Sequence, residues 1–272
     1  MPQFIPVTDL DRAELAPYRT MREQRAHRAE GLFVAEGPEV VRRLLASGIE
    51  VINLLLLPRR AEALTPLIER HAPDVPVFLA GTEVLQALTG FHVYQGALAQ
   101  GRIPPAPDLA GLLPALPRPR WVVALDGLAN AENVGTAART AAGFGAQALL
   151  LGETCASPWL RRAVRTSMGA VFHLPAPRSA GLAADLAGLR AAGFTCVAAD
   201  PNPPALPLPE CDLRGDCCLV FGAEGDGLRP EVRAACDAVA RVPMSAAADS
   251  LNVASAVAVF AYEVWRQRQT RR

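Results

Sequence analysis

The sequence predicts an α/β protein in which two parts each alternate apolar strands with helices. The predicted strands are short, almost continuous apolar runs, which is typical of strands in a parallel sheet that helices cover on both faces. Most runs precede a segment with helical signals, a Pro at its first position or a Gly at its end. A Pro-rich stretch at residues 104–120 lacks a clear period, so it separates the two parts as a semi-rigid linker.

The N-terminal part, residues 1–103, is within the size range of a small domain. A strand is expected at 32–37, and a helix follows it from Pro38 to Gly48. Further strands are expected at 51–57, 75–80 and 94–100, and further helices at 61–72 and 83–90. This alternation predicts a small α/β sandwich.

The C-terminal part, residues 121–272, repeats the pattern and predicts a parallel sheet with helices on both faces. One helix is expected to begin with Ser157 as its N-cap and Pro158 at its first position. Strands are expected at 121–127, 146–152, 195–200, 217–222 and 238–244, and further helices at 133–145, 182–193, 229–237 and near 249–265. Ligands of such sheets bind at the carboxyl ends of the strands.

The composition is that of a globular chain, because 51% of the 272 residues are apolar and 20% are charged. All 27 basic residues are Arg, which reflects either codon bias or a need for forked phosphate donors; we favour bias for most of them. The formal net charge is zero, so any nucleic-acid surface must come from local segregation of charge. Two Arg-rich runs, at 18–28 and 159–167, are candidates, although solvated helix faces explain either run alone.

The six cysteines have no C-x-x-C spacing and no His at zinc-ligand distance, so no metal site is predicted. They are expected to be reduced, mostly buried thiols of a cytoplasmic protein. The N-terminus has acidic residues where a signal peptide needs an apolar core. The most apolar run, at 44–57, is short and contains Glu50 and Asn53, so no membrane span is predicted.

Unusual polar residues follow three of the C-terminal strands. After the first strand come Asn133, Gly135 and Arg139, without the G-x-G-x-x-G spacing of a dinucleotide site. A loop, an Asn cap and a surface Arg would also account for them. Arg139, however, lies among Ala, Thr and Gly residues, whose small side chains let a partner approach closely.

The second segment, "LVFGAEGDGL", places three glycines around Glu224, where they permit positive φ or close approach of a ligand. In the third segment a strand ends at Pro243-Met244, and an apolar helix then opens with Ser-Leu-Asn. Asp249 or Ser250 is expected to cap this helix. Asn252 would then lie inside the first turn, where an apolar residue would pack better.

In this order, the three segments resemble the signature motifs of the SpoU (TrmH-like) branch of the SPOUT RNA methyltransferases. Motif one, N-x-G-x-x-x-R, is matched at 133–139; motif two, F-G-x-E-x-x-G-L, at 221–228; and motif three, I-P-M followed by S-L-N-V, at 242–244 and 250–253. Many members have a Gly in the motif-three loop, where this chain has "SAAAD". The N-terminal part more loosely resembles the ribosomal-protein-like substrate-binding domain of many members.

The resemblance implies a C-terminal trefoil knot, which is a rare exception to ordinary chain topology. It also implies a homodimer through the C-terminal domain, S-adenosyl-L-methionine as methyl donor without a metal, and a ribose 2′-hydroxyl of rRNA or tRNA as acceptor. Backbone atoms of Gly222, Val242 and Leu251 would contact the cofactor.

Catalytic roles are carried over to five residues. Arg139 would orient and activate the 2′-hydroxyl, since a neutral guanidine is costly. Asn133 and Glu224 would position the ribose and Arg139, while Ser250 and Asn252 would form the wall between cofactor and RNA. The arginines expected to bind RNA are Arg19, Arg22, Arg25, Arg28, Arg161 and Arg165.

Three alternatives remain open at this stage. The chain could be an RNA-binding protein with an inactive methyltransferase domain, or a SPOUT enzyme that methylates a base. A domain that binds no RNA, such as an oxidoreductase, is disfavoured by the absent glycine fingerprint. The motifs do not distinguish rRNA modification, tRNA modification and antibiotic-resistance methylation.

Overall fold

The computed structural model describes residues 2–21, 29–90, 93, 95–245 and 250–269. The chain forms two compact units: Met1–Pro105 with Trp159–His173, and Ala106–Pro158 with Leu174–Arg272. The division after Pro105 falls within the expected linker. Residues 159–173, however, were expected in the C-terminal domain and belong to the first unit instead.

In the described part of the chain, the two units contain eleven strands and ten α-helices. The strands are β1 (Gln3–Pro6), β2 (Leu32–Glu36), β3 (Val51–Leu56), β4 (Pro76–Leu79), β5 (Ala97–Arg102), β6 (Trp121–Leu125), β7 (Ala148–Leu151), β8 (Thr195–Ala199), β9 (Leu206–Pro207), β10 (Cys217–Phe221) and β11 (Ala238–Arg241). The helices are α1 (Ala16–Arg19), α2 (Pro38–Ala46), α3 (Pro58–His71), α4 (Thr82–Thr89), α5 (Leu109–Leu112), α6 (Ala131–Gly143), α7 (Arg161–Thr166), α8 (Leu182–Ala191), α9 (Pro230–Ala234) and α10 (Val253–Gln269).

The first unit contains a five-stranded mixed sheet with the order β1-β4-β3-β5-β2. Strands β1, β4 and β3 are parallel, and β5 is antiparallel to both β3 and β2. Helix α2 illustrates why the sequence folds this way: Val40, Val41, Leu44 and Leu45 form one buried face, and charged residues occupy the other.

Residues 159–173 join the first unit through aromatic packing. The rings of Trp159 and Phe172 lie 5.0 Å and 5.8 Å from the ring of Phe33 in β2, measured between centroids. Arg43 of α2 donates a hydrogen bond to the carbonyl oxygen of Met168 at 2.8 Å. This packing places α7 against β2.

The expected start of α7 was wrong. The helix begins at Arg161, with Leu160 in the N-cap position and no capping side chain. Ser157 is buried and lies before a turn, so Ser157 and Pro158 do not open the helix. The cap-and-proline pattern here precedes a turn at Pro158-Trp159 that leads into the helix.

The second unit contains a six-stranded sheet with the order β7-β6-β10-β8-β11-β9, in which each strand pair is parallel. This confirms the predicted parallel sheet. Val220 of β10 packs in the cluster formed with α8 and α9, whereas the neighbouring Phe221 packs edge-on against Phe260 of α10 at 5.4 Å. Successive side chains of one strand thus meet helices on opposite faces.

The carboxyl edge of this sheet brings together the three segments with unusual polar residues. The β6–α6 loop, the β10–α9 loop and the segment from β11 to α10 all leave from this edge. Helix α10 also packs against α6 and β10. The edge is therefore the place where a site can form.

Candidate active site

A cleft of about 450 Å³ opens at the carboxyl ends of β8, β10 and β11 in the second unit. Its volume is within the range of about 300–1,000 Å³ typical of small-molecule sites. Phe221, Leu228 and Phe260 provide apolar surface, and the loops after β10 and β11 expose backbone groups to it. Such a lining suits a ligand with one flat apolar end and one polar end.

Asn252 connects all three motifs at the rim of this cleft. Its Nδ2 donates hydrogen bonds to Oε1 of Glu224 at 2.6 Å and to Oδ1 of Asn133 at 3.3 Å. Its Oδ1 accepts a hydrogen bond from the backbone N–H of Ala254 at 2.9 Å. One carboxamide therefore joins motif one, motif two and the first turn of α10.

The expected position of Asn252 inside the first turn was wrong. Helix α10 begins at Val253, and Asn252 is its N-cap because its side chain accepts from the second helical residue. Ser250 lies before the helix and lines the cleft, while Asp249 lies outside the described residues. In α6, likewise, the cap is Asn130, so Asn133 is left to face Asn252.

The loop after β10 is a tight hairpin whose two sides touch. The N–H and C=O groups of Ala223 and Gly227 bond each other, both at 3.0 Å. Gly225 and Gly227 have φ of +87° and +71°, as the turn requires. A Cβ on Gly222 would overlap the backbone of Gly227 and Leu228. The side of Gly222 where a Cβ would project is thus filled by the chain's own backbone, and Gly222 also lines the cleft.

The three residues expected to contact the cofactor all line the cleft. They are Gly222 after β10, Val242 after β11, and Leu251 before α10. The side chain of Leu251 is 38% exposed and that of Met244, also in the lining, is 36% exposed. Exposed apolar side chains at the mouth of a cleft are available for contact with a ligand.

Arg139 is exposed on α6 and is not among the described residues that line the cleft. The opposite face of α6 is buried through Val134, Ala137, Ala138 and Ala141. Asn133, on the same helix, is tied to the cleft rim through Asn252. Arg139 thus lies on the solvent-exposed face of α6, the helix that contacts the rim of the cleft through Asn133.

The sequence interpretation missed an ion-pair network behind the motif-two loop. Arg229, directly after that loop, donates through Nε to Asp126 at 2.8 Å and through its NH2 nitrogen to Glu153 at 2.7 Å. The Arg229 guanidinium holds the pKa of Glu153 below its usual value, and the carboxylates, Glu153 first, raise the pKa of Arg229. The only signal in the sequence was that Asp126 and Glu153 follow strands and that Arg229 follows the motif-two loop.

The arginines expected to bind RNA have different environments. Arg19 is half-buried and donates to the backbone carbonyls of Leu10 and Arg12, so its guanidinium serves the fold. Arg161 forms an ion pair with Glu36, and its side chain is only 13% exposed, which leaves it poorly placed for a phosphate. Arg165 is exposed on α7. Arg22, Arg25 and Arg28 lie outside the described residues.

The described residues contain no group of three or more His, Cys, Asp or Glu side chains that could hold a metal ion. Within the same ranges, no helix combines the length and apolar character needed to cross a membrane.

Comparison with known proteins assigns the family. The model of the SpoU rRNA Methylase family matches residues 120–262. The chain belongs to this family. As a SpoU family member it is similar to an uncharacterized tRNA/rRNA methyltransferase of Mycobacterium bovis, with 36% identity over 237 residues that cover 86% of this chain and 81% of the relative.

Solved SpoU-like structures share the whole fold. An rRNA methyltransferase from Sinorhizobium meliloti with bound S-adenosylmethionine superimposes with a TM-score of 0.82 at 25% identity, covering 97% of this chain and 98% of the other. An RNA 2′-O ribose methyltransferase superimposes with a TM-score of 0.77 at 25% identity, covering 99% and 100% of the two chains. Both matches extend over the two units of this SpoU protein.

Proposed function

We propose that this protein transfers the methyl group of S-adenosyl-L-methionine to a ribose 2′-hydroxyl of rRNA or tRNA. The observation that carries the proposal is the carboxamide of Asn252, which joins Asn133, Glu224 and the N-terminus of α10 beside the cleft. A purely structural N-cap needs only its oxygen. Here the amide nitrogen also holds two polar side chains of the other motifs at the same rim.

The cleft suits S-adenosylmethionine in size and in the chemistry of its lining. Backbone groups near Gly222, Val242 and Leu251 would hold the adenine edge, and Phe221 and Leu228 supply apolar surface. When bound, the cofactor supplies a methyl group on a sulfonium, which is electrophilic without a metal ion. Asn252 and Ser250 would separate this pocket from the RNA.

Arg139 would act on the RNA side of the site. Its guanidinium remains charged in proteins, so it serves to orient the 2′-hydroxyl or the neighbouring phosphate and to stabilise developing negative charge. Asn133 and Glu224 would fix the ribose and Arg139, and the hydroxyl proton would pass to water. Alignment of the reacting atoms would supply most of the rate enhancement.

The substitution Arg139→Ala tests this assignment. We expect binding of S-adenosylmethionine, measured by calorimetry, to remain within about threefold of wild type, because Arg139 does not line the cleft. Methyl transfer to RNA should fall by roughly a hundredfold or more, since an oriented charge at the acceptor is lost. Wild-type turnover in this variant would contradict the catalytic role.

Mapping the product separates this function from its alternatives. Bulk rRNA and tRNA from a strain that lacks the gene should be incubated with the protein and labelled cofactor, then digested and analysed by mass spectrometry. A 2′-O-methylated nucleoside supports the proposal, whereas a methylated base identifies a different SPOUT activity. Cofactor binding without methylation of either RNA class would indicate an inactive methyltransferase domain.

We further propose that the second unit is knotted and forms a homodimer. After β11 the chain returns to α10, which packs on α6, and on the way Asn252 contacts the first turn of α6 and the loop after β10. This return supports a trefoil knot. Tyr262 and Trp265 are exposed aromatic residues on α10, and Tyr262 packs edge-on against the half-buried Phe144, the residue after α6; this exposed pair supports a dimer contact there.

The first unit would bind the RNA substrate. Arg165 and its neighbour Arg162 are both exposed on α7, and Arg162 replaces the inward-facing Arg161 as a candidate phosphate contact. A cytoplasmic location follows from rRNA or tRNA as substrate, and the six free thiols agree with a reducing compartment.

A further inference from the structure

We infer that Arg229 is a positioning residue, which fixes the motif-two loop in the conformation that binds the cofactor by anchoring it to Asp126 and Glu153. The inference rests on the proposed function, because it assigns a role at the same cleft. Arg229 itself is not among the described residues that line the cleft. It therefore acts through the loop and not through contact with the ligand.

The anchor at Asp126 involves both the backbone and the side chain of Arg229. The backbone N–H of Arg229 donates to Oδ2 of Asp126 at 2.9 Å, and Nε donates to Oδ1 at 2.8 Å. The side chain of Asp126 is 1% exposed and lies at the end of β6, a fully buried strand. One end of the anchor is thus part of the rigid sheet.

Glu153 completes the anchor from the neighbouring strand. It follows β7 and accepts from both terminal nitrogens of Arg229, at 3.2 Å and 2.7 Å. Its Oε1 also accepts from the backbone N–H of Leu182, the first residue of α8, at 3.3 Å. The planar fork of the arginine donates through Nε to Asp126 and through both terminal nitrogens to Glu153, and the single ammonium group of a lysine cannot reproduce this three-bond geometry.

The anchored segment leads directly into the cleft. Leu228, the residue before Arg229, lines the cleft, and Gly227 is bonded to Ala223 across the neck of the hairpin. The tip carries Glu224, which Asn252 holds from the opposite side. The loop is thus fixed at its tip by a hydrogen bond and at its base by the ion pairs of Arg229.

Stability alone is a weak reason for this network. Removing carboxylates from water costs free energy that their ion pairs often only just offset, so a buried ion pair adds little net stability. What the network does supply is one defined position for the base of the loop. If the loop were free, cofactor binding would have to order it, and that cost would appear as a higher Kd.

The test compares Arg229→Met with Arg190→Met in the full-length protein. Arg190 is a suitable control because it forms an ion pair with Asp237 at 2.6 Å and its side chain is 45% exposed, against 37% for the side chain of Arg229. Neither Arg190 nor Asp237 lines the cleft. Three quantities are measured: the Kd for S-adenosylmethionine by calorimetry, kcat at saturating cofactor, and hydrogen exchange of residues 222–228 without cofactor.

We expect Arg229→Met to raise the Kd by roughly tenfold and to speed exchange of the loop, with kcat at saturation within about threefold of wild type. Arg190→Met should leave all three unchanged. Glu153→Gln removes one carboxylate and leaves Asp126 in place, so it should raise the Kd and speed loop exchange by smaller amounts. This variant provides the test if Arg229→Met does not fold. Arg229→Lys keeps the positive charge and loses the planar guanidinium, so its Kd should lie between those of the wild type and Arg229→Met.

A folded Arg229→Met protein with the wild-type Kd and wild-type loop exchange overturns the inference. Equal losses in both Met variants would also overturn it, because they would reflect general destabilisation. If the wild-type protein itself does not bind S-adenosylmethionine, the proposed function fails and the positioning role fails with it. If the wild-type protein binds S-adenosylmethionine, a wild-type Kd in Arg229→Met contradicts only the positioning role and leaves the proposed function standing.

Discussion

Asn252 performs a structural and a site-building task with different atoms of one side chain. Its oxygen caps α10, and its nitrogen holds Glu224 and Asn133. One face of the helix is buried, mostly through apolar residues, so the polar residue at its start determines where the helix begins. The two tasks can be separated experimentally because other residues can cap a helix without bridging the motifs.

Asn252→Ser should keep the cap and lose the bridge. We expect its free energy of unfolding to stay within about 0.5 kcal/mol of wild type, and methyl transfer to fall by roughly tenfold or more. Asn252→Ala should lose about 1 kcal/mol of stability as well, since no cap remains. Chemical denaturation and RNA methylation assays check both. Full activity of Asn252→Ser would mean that the bridge to Glu224 is dispensable.

At the scale of elements, the motif-two hairpin depends on the absence of a side chain at Gly222. Gly222→Ala would force the neck between Gly222 and Gly227-Leu228 to open. We expect a loss of about 2–3 kcal/mol in unfolding free energy and at least tenfold weaker binding of S-adenosylmethionine. Thermal unfolding and calorimetry provide the measurements.

The matched control is Gly188→Ala in α8. Apart from its chain neighbours and the backbone of its own helix, nothing lies within 4 Å of a Cβ built there, so a helix-interior alanine should be neutral or stabilise by about 0.5–1 kcal/mol. If Gly222→Ala behaves like this control, the backbone contact at the neck does not constrain the loop.

The elements differ in how well the sequence predicts them. Strands β6 and β10 are apolar throughout and bounded by turn residues, so they were predicted to within two residues. Strand β1 was missed because its four residues, which include Pro6, show no strand pattern. It forms by pairing with β4, 73 positions further along the chain (Gln3 with Pro76). The partners of Arg161 and Arg229 were also missed, because ion pairs over such separations leave no local pattern.

At the scale of the molecule, the exposed aromatic face of α10 bears on assembly. Tyr262 and Trp265 are 50% and 43% exposed, with ring centroids 5.8 Å apart. We expect the wild-type protein to be a dimer and the double variant Tyr262→Arg/Trp265→Arg to be a folded monomer, because charge on an apolar contact opposes its burial. Analytical ultracentrifugation measures the change.

Phe4→Arg, in β1 of the first unit, is a suitable control because Phe4 is also an exposed aromatic residue at 39%. It should remain dimeric. A monomeric wild type at micromolar concentration, or a double variant that stays dimeric, would rule out α10 as the dimer contact.

Residues 159–173 make both units discontinuous in sequence. The segment is encoded between β7 and α8 of the second unit, yet its Val164 and Phe172 are buried in the first. If a gene were cut at the Pro-rich linker, residues 159–173 would stay with the second unit, and apolar side chains that the first unit buries, such as Val164 and Phe172, would lose their partners. Neither unit is one continuous stretch of sequence, so a single crossover within the chain cannot exchange either unit whole.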